Sequence, residues 1–163
     1  MHKNITKESC SANFSVCSGS TTIHIFPFNS GVSVGVYIDG VSPPDGNPST
    51  SNLGMYNISQ TASVLAIQAT NNKNQFLVSS DDGWILTNST SWRCVAQVTS
   101  STWNQMDFDD SRWPNAVELG RNDGSYADTV VPGIHPDAAW ISASNLTISA
   151  NIYCRFYFGI YMN

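Results

Sequence analysis

Apolar and polar residues alternate one by one along much of this chain, the period of a strand that turns one face to a core. From Thr21 to Phe28, Ile23 and Ile25 alternate with Thr22, His24 and Phe26. Val32, Val34, Val36 and Ile38 then alternate with Ser33, Gly35, Tyr37 and Asp39. Both stretches predict strands. They are followed by an Asp39-Gly40 turn and by Pro43-Pro44-Asp45-Gly46-Asn47-Pro48, a loop with too few backbone donors for a ladder. Residues Ala62 to Thr70 are apolar on both faces, as in a central strand covered on two sides. Phe76 to Val78 and Trp92 to Val98 add short strands. The last element is the longest. Ile148, Ala150, Ile152, Cys154, Phe156, Phe158 and Ile160 share one face, and Ser149, Asn151, Tyr153, Arg155, Tyr157 and Tyr161 share the other. Residues 1 to 20 carry no periodic pattern and read as a polar arm, leaving 21 to 163 as one domain. Short strands without a helical stretch of about ten residues predict an all-β chain, a sandwich of roughly eight or more strands.

Composition strengthens this reading. Ser, Thr and Asn (23, 12 and 16) make up 51 of the 163 residues, and they disfavour helix interiors. The net charge is -5, with no basic block to neutralise phosphates, so nucleic acid is excluded as an expected partner. No run approaches the roughly 18 apolar residues of a membrane-spanning helix, so no membrane insertion is expected.

Five acceptor triplets for N-glycosylation stand at Asn4, Asn13, Asn57, Asn88 and Asn145. The four cysteines, Cys10, Cys17, Cys94 and Cys154, form no C-x-x-C spacing and read as disulfide partners. Both features point to an extracellular or cell-surface setting. The segment beginning Met1-His2-Lys3 has no apolar leader, so that setting implies a leader already removed or a longer parent chain. Three disulfide connectivities are possible. Parity places Cys94 beside Trp92 and Ala96, and Cys154 on the apolar face of the last strand, so both thiols point inward; this favours Cys94–Cys154, with Cys10–Cys17 closing a small loop in the arm.

The run Phe108-Asp109-Asp110-Ser111-Arg112-Trp113-Pro114 resembles the F-D-D-S-x-W motif of galactose-binding-domain-like jelly rolls. Tyr37-Ile38-Asp39-Gly40 and Ala66-Ile67-Gln68-Ala69-Thr70-Asn71 resemble further strands of those domains. Ala139-Trp140-Ile141 and Tyr153-Cys154-Arg155-Phe156 are similar to elements near their end. The resemblance spans most of residues 21 to 160 and implies a jelly-roll sandwich that serves as a lectin, an accessory domain or a structural module. It also implies strands that bring Cys94 and Cys154 together. Related jelly rolls often hold a structural Ca²⁺, to which Asp107, Asp109, Asp110, Asp123 and Asp128 could offer oxygens, but no EF-hand loop is present and these acidic turns read first as solvated or capping. Phe108 and Trp113 read as core anchors of an Asp-Asp-Ser turn, as do Trp84, Trp92 and Trp140 in their own segments. Trp103, in a Ser/Thr/Asn loop, is expected to be exposed.

No catalytic constellation emerges. Asp109 and Asp110 are adjacent, which turns carboxylates apart rather than across a substrate. No nucleophile elbow, phosphate loop or zinc-protease motif is present, His24 lies in a strand and His135 in a loop beside Pro136. A non-enzymatic role without a cofactor is expected. The first expectation is a self-associating structural or adhesive subunit of a filament or matrix, binding copies of itself or related subunits through Tyr153, Arg155, Tyr157 and Tyr161, since Tyr and Arg are enriched at interfaces. The alternative is a lectin-like module. It would bind glycans through Trp103 and the loop residues Arg121, Asn122, Asp123 and Tyr126.

Overall fold

The computed structural model describes residues 19–28, 33–44, 53–70, 75–143 and 151–159. Nine strands run through these residues: β1 (Ser20–Pro27), β2 (Ser33–Ile38), β3 (Gly54–Ser59), β4 (Val64–Thr70), β5 (Phe76–Ser80), β6 (Trp92–Val95), β7 (Val117–Arg121), β8 (Ala139–Ser142) and β9 (Ile152–Tyr157). Among the described residues there is no helix. The strands form two antiparallel sheets, a five-stranded one in the order β3-β1-β5-β8-β7 and a four-stranded one in the order β2-β4-β9-β6. The chain is therefore all-β, with the layered build of a sandwich.

Alternation explains which side chains meet between the sheets. Ile23 and Ile25 of β1 and Phe76 and Val78 of β5 face Leu65 and Ile67 of β4 and Trp92 of β6, all fully buried in one cluster. Cys94 and Cys154 stand opposite each other in the β6–β9 register, with Cα atoms 4.2 Å apart, and are disulfide-bonded. The bond thus joins neighbouring strands of one sheet on its inner face. Between β5 and β8, which pair directly at Phe76 and Ile141, the segment Ile85–Thr87 fills the gap. Thr87 takes a bond from Ala139 N and gives one to Val78 O, at 2.8 and 3.0 Å.

Much of each outer face is covered by a loop. The loop 99–113 lies over the four-stranded sheet, where Trp103 packs with Val64 and Ala66 and is flanked by Tyr37, Phe108, Trp113 and Tyr153. The loop 122–138 lies over the five-stranded sheet, where Val131 and Ile134 pack with Leu77 and Trp140. Two sheets and two covering loops make four layers.

This arrangement corrects several expectations. Trp103 is 7% exposed because the rings of Tyr37 and Tyr153 meet it edge-on at 5.6 and 5.0 Å. Arg155, expected on an outward interface, is 1% exposed beneath loop 99–113. Its Nε donates to Asp110 Oδ2 at 2.8 Å, and its terminal nitrogens donate to the carbonyls of Trp103, Gln105 and Phe108. The guanidinium also lies 5.1 Å from the Phe108 ring centroid. A rigid five-donor fork suits this task, since one side chain satisfies one carboxylate and three carbonyls of a loop that has no ladder of its own. The Asp-Asp-Ser turn is an anchor, as its sequence suggested: Asp110 holds Arg155, Asp109 takes a bond from Ser111 N at 2.9 Å, and the Phe108 and Trp113 rings meet at 5.6 Å.

Candidate functional site

The glycan-binding residues expected from sequence do not converge. Trp103 lies over the four-stranded sheet, whereas Arg121 ends β7 and Asn122, Asp123 and Tyr126 belong to the loop leaving it over the other. Asn122 is 1% exposed, and its amide donates to Val131 O and Ile134 O at 3.0 and 2.9 Å and accepts from Val131 N at 2.7 Å. It is the internal brace of the loop. Tyr126 packs on Phe28 and Trp140 and donates to Gln75 Oε1 at 2.8 Å, and Gly120 makes room for it, since a Cβ there would stand 2.5 Å from the Tyr126 Cβ. Arg121 and Asp123 remain exposed, Arg121 paired with Asp137 at 3.2 Å.

Three of the carboxylates considered for Ca²⁺, Asp109, Asp110 and Asp123, are likewise engaged singly. Asp110 is held by Arg155, and hydrogen bonds from Ser111 hold the Asp109 carboxyl below the usual carboxylate range, as bonds from Ser125 do for Asp123. Among the described residues, no three His, Cys, Asp or Glu side chains gather to hold a metal ion.

Of the assembly residues, Tyr153 packs on Trp103 and Arg155 is internal, so among the described members Tyr157 alone presents a broad surface, 49% exposed. Cys10, Cys17, Asn4, Asn13, Asn145 and Tyr161 lie outside the described residues. Asn57 is on the exposed face of edge strand β3, where it accepts a bond from Thr22 Oγ1 at 3.0 Å.

A groove of about 320 Å³ lies where the end of β9 approaches the crossing from one sheet to the other, lined by Trp84, Leu86, Asn88 and Ser91 on one side and Phe156, Tyr157, Phe158 and Gly159 on the other. The Trp84 wall is built largely by short-range bonding and the far wall by bonds to distant segments. After β5, Asp82 accepts from Ser80 Oγ and from Trp84 N, the latter at 3.0 Å, and Gly83 adopts φ 71°, which a residue with a Cβ rarely does. That turn projects Trp84, which is 58% exposed. Four residues on, Asn88 Oδ1 accepts from Thr90 N, Thr90 Oγ1 and Ser91 N at 2.9, 2.9 and 2.7 Å, while its Nδ2 donates to Leu86 O at 3.0 Å. Glu118 secures the same turn by accepting from Ser89 N at 2.7 Å, and the Trp92 indole donates to Leu86 O at 3.0 Å. On the far wall, Phe158 N bonds to Ser63 O at 3.0 Å and the Tyr157 hydroxyl donates to Met106 O, which fixes that ring.

The groove therefore offers the exposed rings of Trp84 and Tyr157 beside Phe156 and Phe158, an amide and a hydroxyl, and no charged side chain lines it. Sequence reasoning placed Trp84 in the core. The sole signal against that was its place in Asp81-Asp82-Gly83-Trp84, a turn that pushes its last residue outward. Compared with known proteins, the chain matches no family model, and no curated protein or solved structure is significantly similar to it.

Proposed function

We propose that the chain is a non-enzymatic, extracellular carbohydrate-binding module of the galactose-binding-like, jelly-roll kind, and that the Trp84–Tyr157 groove is its sugar site. One observation carries this reading: the exposed Trp84 and Tyr157, the latter tied through its hydroxyl to Met106 O, border an uncharged groove that also holds Asn88 and Ser91. A pyranose ring has an apolar C–H face and a rim of hydroxyls, so it stacks on aromatic faces while its rim hydrogen-bonds to neutral amides and hydroxyls. The uncharged lining favours neutral sugars. The Cys94–Cys154 bond and the acceptor triplets support an oxidising, secretory route.

The test uses protein from a host that forms disulfides and adds no N-glycans, probed on a glycan array and by calorimetry. Trp84→Ala should lower affinity for any sugar found by at least tenfold with an unchanged melting temperature. No bound glycan, or equal binding by the variant, overturns the proposal. A second reading, self-association in a filament or matrix, draws on the exposed Tyr157 ring beside Met106, itself 56% exposed. Sedimentation velocity at rising concentration tests it, and a monomer throughout refutes it.

A further inference from the structure

Asn88 is both a wall of the groove and the first residue of Asn88-Ser89-Thr90, an N-glycosylation triplet. Among the described residues the other triplet begins at Asn57, which lies on an exposed strand face and does not line the groove. We propose that Asn88 carries an N-linked glycan whose first sugars lie in the groove against Trp84, so that the chain's own glycan fills the site in the glycosylated protein and the site is open to other sugars when Asn88 is unmodified. This rests on the reading of the groove as a sugar-stacking surface and names what regulates it.

The chemistry fits the local bonding. Transfer joins Nδ2 to the anomeric carbon of an oligosaccharide carried on a lipid pyrophosphate; the bond from that carbon to the pyrophosphate oxygen breaks, the pyrophosphate leaves and Nδ2 loses one proton. The resulting secondary amide keeps one N–H, enough for the single bond that Nδ2 makes to Leu86 O. Oδ1, which accepts three bonds within the turn, keeps all its acceptor capacity. The amide plane is thus fixed before and after modification, and the glycan leaves the protein in a set direction from the groove wall.

Size and tethering agree. At about 320 Å³ the groove is small for a ligand site, room for one or two sugar rings. A ligand attached at the wall has an effective concentration on the order of millimolar, so weak stacking on Trp84 is sufficient to keep it in place against free sugars.

The experiment compares full chains secreted by a glycosylating host: wild type, Thr90→Ser, which retains the triplet, and Thr90→Ala, which removes it while keeping Asn88. Site occupancy is read by glycopeptide mass spectrometry. Groove occupancy is read by acrylamide quenching of tryptophan fluorescence, since Trp92, Trp103 and Trp140 are buried and Trp84 is the most exposed of the five. Wild type and Thr90→Ser should be modified at Asn88 and show a quenching constant at least twofold below that of Thr90→Ala. Trp84→Phe should remove the difference. A chitooligosaccharide should bind Thr90→Ala at least tenfold more tightly than it binds the glycosylated chain. An unmodified Asn88, or equal quenching with and without the glycan, overturns the inference and leaves the sugar site standing. If the quenching difference is seen but no glycan binds any form, the proposed function fails and the cis-packed glycan stands.

Discussion

Replacing Arg155 by Met removes the fork that holds loop 99–113 on the four-stranded sheet. The substitution keeps much of the aliphatic length, so the loss is chiefly of charge and donors. Asp110, whose side chain is 16% exposed, is left with no cation at 2.8 Å, and the carbonyls of Trp103, Gln105 and Phe108 lose their donors in a closed space. Breaking a buried pair by removing one partner costs about 3–5 kcal/mol. In a domain of this size each kcal/mol shifts the melting temperature by about 2–4 °C, so a fall of about 6–20 °C is expected. Thermal and urea melts measure the loss, and near-UV circular dichroism reports on Trp103, whose fixed environment the loop provides. In an Asp110→Asn background the same replacement should cost about 1–3 kcal/mol less, because no buried carboxylate is then stranded. An Arg155→Met protein that melts within about 1 kcal/mol of wild type, with its near-UV spectrum intact, would falsify the clamp.

Three further outcomes follow from the same geometry. Cys94→Ser with Cys154→Ser reopens a separation of 60 residues, and the chain-entropy estimate puts the loss at about 4 kcal/mol; calorimetry on oxidised wild type and the double variant checks it. Asn122→Ala strands two carbonyls and one amide of loop 122–138 and should cost about 2–3 kcal/mol in urea denaturation, whereas Arg121→Ala, on an exposed pair, should change little. Asp109 and Asp123 have folded pKa values depressed by Ser111 and Ser125. Their contribution is therefore present above the unfolded value near 3.9 and is lost as pH falls through the folded one, and carboxyl chemical shifts followed by NMR should show both titrating below that value.

Alternation made β1, β2, β6 and β9 legible, because one apolar face against the core leaves a period of two in the sequence, while β4 and β5 were legible as short apolar runs. It missed β3, where Tyr56 and Ile58 are the only buried positions of a short strand whose remaining residues are Gly, Met, Asn and Ser. It missed β7 because a bulge between Glu118 and Gly120 breaks the period, and β8 because all four of its residues are buried and leave no alternation. The outer layers were hidden for a different reason. A strand pattern ranks Arg155 as outward, correctly, yet is silent on whether a distant loop will cover it. Trp103 and Asn122 stand in polar stretches, and their burial depends on contacts with strands far along the chain. The groove was the least legible part, since its two walls are joined only after the last strand returns beside the turn that carries Trp84.

The disulfide also sets how the domain answers a mechanical load. Residues between Cys94 and Cys154 lie behind a covalent link that spans adjacent positions of β6 and β9, so tension applied at the chain ends bypasses them. That shields a separation of 60 residues, about 200 Å of extended chain, including both covering loops. Under pulling, the unprotected strands β1 to β5 would lengthen while the clamped layers stay folded or slack behind the bond, and the domain would behave as a tether with a fixed limit to its stretch.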